Sequence, residues 1–188
     1  MNSPTTAAIS ARDLRRTFGT NEAVAGIDLD VEYGEIYGFL GPNGAGKSTT
    51  VKMLCTLLGI TSGTATVAGF DVDRQPGDIR LRIGVALQDS SIDGKQTGRE
   101  MLHLQGRLYG LNRADIAERM DDVIGLGDIG NAIDDRADSY SGGMKRRLDL
   151  AMSLIHRPQI LFLDEPTTGL DPASRSAVWS EVRRLNRD

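Results

Sequence analysis

Ile36-Tyr37-Gly38-Phe39-Leu40 runs directly into Gly41-Pro42-Asn43-Gly44-Ala45-Gly46-Lys47-Ser48, and a helical pattern through Val51, Met53 and Leu54 follows. The middle block fits GxxxxGK[ST], a pattern whose meaning depends on its flanks. The short apolar run before it predicts a strand buried on both faces. The periodic stretch after it predicts a helix that includes Leu57 and Leu58 and closes on Gly59 as its C′ residue. Between a strand and a helix, glycines let successive backbone N–H groups turn inward around phosphate oxygens. The helix start adds its positive dipole end. Gly41, Pro42, Asn43, Gly44, Ala45, Gly46, Lys47, Ser48 and Thr49 are therefore the candidate phosphate cradle. Lys47 is expected to reach the outer phosphates and the Ser48 hydroxyl to ligate Mg²⁺. A glycine turn that only caps a helix is the plain alternative, and the order strand, loop, helix argues against it.

A second half-site lies far along the chain, in Leu161-Phe162-Leu163-Asp164-Glu165. An apolar run followed by two acids places those acids at the C-terminal edge of a buried strand, where open α/β sheets bind ligands. Asp164 is expected to hold the Mg²⁺ shell and Glu165 to act as general base on an attacking water. Two acids at a strand end usually mean a solvated edge. It is the pairing with the glycine loop that gives them weight.

Working outward, Ile9–Leu14 predicts a strand, and Ile27, Leu29 and Val31 alternate with Asp28 and Asp30 as in a half-buried strand. Glu32-Tyr33-Gly34 reads as a turn, and Thr64–Val67 and Ile83–Leu87 read as strands. Residues 97–125 change character. Thr97-Gly98-Arg99-Glu100 has the form of a capping box, and Met101, Leu104 and Leu108 form a helical stripe that Gly110 ends. A second helix carries Ile116, Met120, Val123 and Ile124. Ser141 caps a third, with Met144, Leu148, Ala151 and Ile155 on one face and Pro158 beyond its end; a last helix holds Val178, Val182 and Leu185. Strands alternating with helices indicate an α/β fold with a largely parallel sheet. The expected organisation is a tail over 1–8 and one domain over 9–188, with a helical subdomain at about 89–157.

The 188 residues suffice for one such domain. A net charge of -4 weighs against non-specific nucleic-acid binding, which needs a basic face. The lone Cys55 excludes an intramolecular disulfide and is expected to be a small core residue. No apolar run reaches the roughly 18 residues of a membrane span, and the start MNSPTTAAIS lacks the marks of a signal peptide. Any tie to a membrane is expected to run through a partner.

With these residues in hand, the chain resembles the nucleotide-binding domain of an ATP-binding cassette (ABC) transporter. The resemblance implies a P-loop NTPase core, an N-terminal antiparallel β subdomain and an α-helical insertion, with ATP and Mg²⁺ as cofactors. Ser141-Gly142-Gly143-Met144 resembles the family's signature motif. It puts two glycines at a helix start, where N–H groups and a dipole can meet an anion. In the family that anion is the γ-phosphate of ATP held by an opposite cassette. Gln88 matches the Q-loop, which senses Mg²⁺ or water and faces the membrane partner. Asp171, in Gly169-Leu170-Asp171, matches the D-loop at the dimer interface. Phe18 stands where the family stacks an aromatic on adenine; core packing is its plain alternative. The resemblance thus implies an ATPase at the cytoplasmic face of the membrane, peripheral to it, working as an ATP-dependent pair of cassettes with a permease.

Within the family, the stretches 88–93, 97–100 and 140–150 look most like daunorubicin-type antibiotic-resistance exporters, which implies export of a drug-like compound. Competing functions are a non-transport ABC ATPase acting on ribosomes or DNA, and a regulatory module without turnover. One cassette, no heptad run and one cysteine weigh against the first; the presence of Lys47 and Glu165 weighs against the second.

Two departures stand out. Tyr140 occupies a position where Leu or Val is common. The family's switch histidine lies on a strand after the D-loop helix, and the sequence ends at Asp188 before it. That strand would lie between Ile36–Leu40 and Ile160–Asp164, so these two are expected to stand about 10 Å apart, in a fragment of a longer protein that is unstable alone. His103 and His156 are expected to be surface or cap residues, and Lys145-Arg146-Arg147 a solvated helix face.

Overall fold

The computed structural model describes residues 7–87, 92–127, 129–164 and 172–186. They fall into two compact units, one ending at Ile83 and one beginning at Gly84.

In the first unit, alternating apolar and polar residues build a long antiparallel hairpin. Strand β1 (Ala7–Phe18) pairs with β2 (Asn21–Glu32). The register breaks between Ala11 and Leu14, where Asp13 takes a φ of 44°. This bulge shifts the phase, so Ile9, Ala11 and Leu14 are all buried despite their uneven spacing. On the partner strand Leu29 and Val31 are buried, as the alternation predicts. Strands β3 (Ser62–Val67) and β4 (Phe70–Asp71) complete an antiparallel sheet of order β2-β1-β3-β4. Helix α1 (Lys47–Leu54) buries Thr50, Met53 and Leu54, and Cys55 just beyond it is buried as expected. A short helix α2 (Pro76–Arg80) follows β4.

Two expectations fail in this unit. Helix α1 stops at Leu54 rather than continuing through Leu58 to a Gly59 cap. Thr56 takes a left-handed φ of 61°, and the N–H groups of Leu57 and Leu58 both fold back to the Lys52 carbonyl, at 2.9 and 3.1 Å. Arg80 secures this reversal by donating Nε–H to Thr56 Oγ1 at 2.9 Å. The second failure is Ile36–Leu40, which forms no strand. Leu40 is 93% exposed, and Ile36, Tyr37 and Phe39 are also exposed. A strand exists only through ladder partners, and none is hydrogen-bonded to this run among the described residues. The expected 10 Å spacing therefore has no strand at one end.

The second unit takes up the chain within β5 (Ile83–Ala86), which forms a parallel pair with β6 (Ile160–Leu163). Among the described residues, four α-helices accompany them: α3 (Gly98–Leu108), α4 (Arg113–Gly127), α5 (Gly142–Leu154) and α6 (Pro172–Leu185). Gly84 lets the chain of α5 come close, since a Cβ there would lie 2.3 Å from the Ser153 carbonyl oxygen. The capping box of α3 is present in full: Thr97 Oγ1 accepts from Glu100 N–H, and the Glu100 carboxylate accepts from Thr97 N–H. The expected stripe on α3 is only partly right. Met101 is buried, but Leu104 and Leu108 are exposed, and the buried face runs instead through Gly98, Leu102 and Gly106. The cause is close packing at Gly106, where a Cβ would lie 2.7 Å from Ile116 of α4. Ile116, Met120 and Val123 of α4 meet Leu148, Ala151 and Ile155 in one core.

Leu102→Ala should cost about 2–5 kcal/mol, whereas Leu108→Ala should change stability by no more than about 0.5 kcal/mol. Urea unfolding of the two variants checks this, and equal effects would contradict the packing of α3.

Candidate functional site

The glycine loop closes on itself through a turn in which Ala45 N–H donates to the Pro42 carbonyl at 3.2 Å. Lys47 then reaches back over it, donating to the carbonyls of Gly41 at 2.8 Å and Pro42 at 2.9 Å. Gly46 is the N-cap of α1 with φ 84°, a conformation that disfavours any side chain. A Cβ there would also lie 2.4 Å from the Ala23 carbonyl oxygen, so glycine is required twice over. Gly46 offers no side-chain cap, and the first turn of α1 carries no acid. The first N–H groups of the helix are thus left without an intrahelical partner at its positive end. Ser48 is exposed and Thr49 half-buried, while Thr50 turns inward and donates to the Gly46 carbonyl at 3.0 Å. This arrangement can take an anion, with Lys47 already held at the loop.

The second unit offers another exposed helix start at α5, here with a side-chain cap. Ser141 is the N-cap, its Oγ accepting from Met144 N–H at 3.2 Å. Gly142 is exposed with open space where a Cβ would stand, and the first turn again holds no acid. Tyr140 explains its departure from the family pattern by packing inward. It is buried, and its hydroxyl donates to the Ala132 carbonyl. The same hydroxyl accepts from Gly98 N–H, and burial pushes its pKa up. The start of α5 is thereby tied to the start of α3.

Asp164 follows β6, and its N–H donates to the Ala86 carbonyl of β5 at 3.0 Å. Gln88, Glu165 and Asp171 lie outside the described residues. Phe18 is 45% exposed, which removes core packing as its role, and the Arg16 guanidinium lies 4.5 Å from its ring centroid. His103 is exposed as expected. His156 stacks on Tyr109 with centroids 3.6 Å apart, a packing contact between the ends of α3 and α5.

Within Lys145-Arg146-Arg147 the expected solvated face fails at Arg146. Arg146 is 13% exposed and donates to the Leu87 carbonyl at 2.6 Å, to the Asp164 carbonyl at 2.9 Å and to the Asp149 carboxylate at 3.3 Å. Asp149 is itself buried. Burial raises its pKa to about 6, against the opposing pull of Arg146. Sequence reasoning missed this pair. A signal was available in Leu148-Asp149-Leu150, an acid between apolar residues on a helix whose neighbouring turns are buried.

Comparison with known proteins agrees with this geometry. The ABC transporter family pattern matches residues 24–168, and the chain belongs to that family. It is 50% identical over 185 residues to the daunorubicin/doxorubicin resistance ATP-binding protein DrrA of Streptomyces peucetius, covering 98% of this chain and 56% of that protein. It is 39% identical to the Nod factor export ATP-binding protein I of Cupriavidus metallidurans, covering 96% of this chain and 59% of that protein. The fold matches the CbiO1 structure from Clostridium perfringens, described as part of the ABC transporter complex CbiONQ. There the TM-score is 0.86 at 25% identity, over 97% of this chain and 74% of that one. The chain thus spans little more than half the length of the two curated relatives. Among the described residues, no helix is long and apolar enough to cross a membrane.

Asp149 makes stability depend on pH in a definite direction. An unfolded aspartate titrates near 3.9, so the folded chain binds this proton more tightly. The contribution is full below about pH 4 and is lost as pH rises through about 6. Asp149→Asn should therefore gain on the wild type by up to about 3 kcal/mol between pH 4 and 7.5. Denaturant unfolding across that range checks this, and a difference that does not change with pH would contradict it.

Proposed function

We propose that this chain carries the nucleotide-binding core of an ATPase that drives export through a membrane permease. The observation that carries the reading is the glycine loop, with Lys47 gathered over it and an uncapped helix start behind it. In this reading Gly41 to Thr49 cradle the phosphates of ATP, and Phe18 stacks on adenine with one face. Glu165 takes a proton from the attacking water as its oxygen bonds to the γ-phosphorus and the bond to the ADP oxygen breaks. Asp164, Ser48 and Gln88 would hold Mg²⁺. This hard-oxygen donor set suits an ion that takes few protein ligands and completes its shell with phosphate oxygens and water. The bound ion would neutralise charge developing on the phosphates.

The exposed start of α5, with Ser141, Gly142 and Gly143, would meet the γ-phosphate held by a second cassette, with Asp171 at the same interface. The relatives named for drug resistance and for Nod factor export differ in cargo while sharing this core. That supports a cassette that supplies force and leaves cargo choice to the permease. Residues 89–135 would face the permease at the cytoplasmic side of the membrane, using the outer side of α3 where Leu104 and Leu108 are exposed. An antibiotic-like cargo is the assignment we favour.

In the full-length protein, Lys47→Ala should weaken Mg·ATP binding by about 1.5–3 kcal/mol, the worth of a charge-assisted contact. Glu165→Gln should keep ATP binding and slow hydrolysis by roughly 10²- to 10⁴-fold, with ATP then holding two copies together in sedimentation. Unchanged binding in the first variant, or an ATP-loaded monomer in the second at high concentration, would remove the corresponding assignment.

A further inference from the structure

We propose that Arg146 is a positioning residue: its guanidinium clasps the ends of β5 and β6 to the first turns of α5, so that the chain entering Gln88 and the chain entering Glu165 are held in one geometry. The inference rests on the nucleotide-hydrolysis reading for its consequence and on the structure for the clasp.

The carbonyls it binds are not arbitrary. Leu87 is the first residue after β5 and Asp164 the first after β6, so both groups have just left the ladder that would satisfy them. Each is followed in sequence by a candidate catalytic residue, Gln88 and Glu165. Between the strands themselves, Asp164 N–H reaches Ala86, one residue before Leu87, so a single guanidinium closes the row that this bond begins. Arg146 lies in the helix that starts at Ser141, and it is a second-turn residue of that helix. The helix that presents Ser141 and Gly142 and the two strand ends are thereby joined through one side chain.

The chemistry selects arginine. A guanidinium presents several N–H groups in a rigid planar fork, whereas an ammonium is a compact point charge on a flexible stem. Here one nitrogen serves Leu87 and the other serves Asp164, while the nitrogen on Leu87 also meets Asp149. Asp149 holds the fork from below, one turn further along the same helix. Simple core packing would need bulk at this position. It would not need donors aimed at two carbonyls on different strands.

The test uses the full-length protein with and without Arg146→Lys, and Arg146→Ala with added guanidinium at sub-denaturing concentration. Without nucleotide, amide exchange in the segments 84–88 and 160–165 should speed up together in Arg146→Lys, while the core of α4 and α5 stays protected. With Mg·ATP, kcat should fall roughly 10- to 100-fold, the scale of a small misplacement of catalytic groups. KM should stay within about threefold, since uniform binding is untouched. Guanidinium should recover part of the loss in Arg146→Ala. Unchanged exchange in either segment, or a kcat within about twofold of the wild type with both segments loosened, would overturn the proposal. A wild-type protein without ATPase activity would instead overturn the nucleotide reading, and the exchange result alone would then decide the clasp.

Discussion

A helix can offer its first N–H groups to a ligand only if its own side chains leave them alone. That constraint governs both candidate anion sites here. At α1 the cap is Gly46, which has no side chain to give and occupies a conformation that other residues avoid. It is also pressed against the Ala23 carbonyl, so the hairpin strand β2 sets where the loop can run. At α5 the cap is Ser141, which uses one N–H, leaving Gly142 exposed beside it. Neither first turn contains an acid that would fill the site from within. Ordinary helices are stabilised by a good cap and an acidic first turn. Helix α1 forgoes both and α5 forgoes the acid, and buried residues anchor each from behind: Met53 and Leu54 in α1, Leu148 and Ala151 in α5.

The second unit keeps a buried charge pair in the same region. Burying Arg146 and Asp149 carries a desolvation cost that mutual attraction does not fully repay. The raised pKa of Asp149 is the visible sign of that cost. The pair persists because the guanidinium is also the hydrogen-bond partner of two strand-end carbonyls that would otherwise be poorly satisfied. Tyr140 works alongside it, fastening the residue before the cap to Gly98 and Ala132. The start of α5 is therefore held from two sides by polar contacts. An apolar interface in their place would tolerate sliding.

Local chemistry was legible in the sequence, and partnership was not. The capping box at Thr97–Glu100, the Ser141 cap and the alternation of Leu29 and Val31 with Asp28 and Asp30 depend on near neighbours, and the structure places them as read. The glycine loop was legible for the same reason: its spacing encodes backbone conformations directly. Ile36–Leu40 was misread because an apolar run does not state which strand it pairs with. The outer positions of α3 were misread because Gly106 draws α4 toward a different face than Leu104 and Leu108 suggest. Helix α1 ends early where Thr56 takes a left-handed φ, a reversal that Arg80 fastens from 24 residues away and that no local pattern announces. Arg146 looked like surface charge because its partners lie 59 and 18 residues away.

Phe18 carries a consequence for which nucleotides the site would accept. One face of its ring is taken by Arg16, leaving the other for a planar group. A phenyl ring has no donor or acceptor with which to read the edge of a base. Stacking tolerates any base, because every base has a π-face, whereas strong discrimination comes from polar groups left unpaired by the wrong ligand. If Phe18 holds a nucleobase in this way, that contact by itself carries no preference among bases, and any discrimination would have to come from other groups around the site.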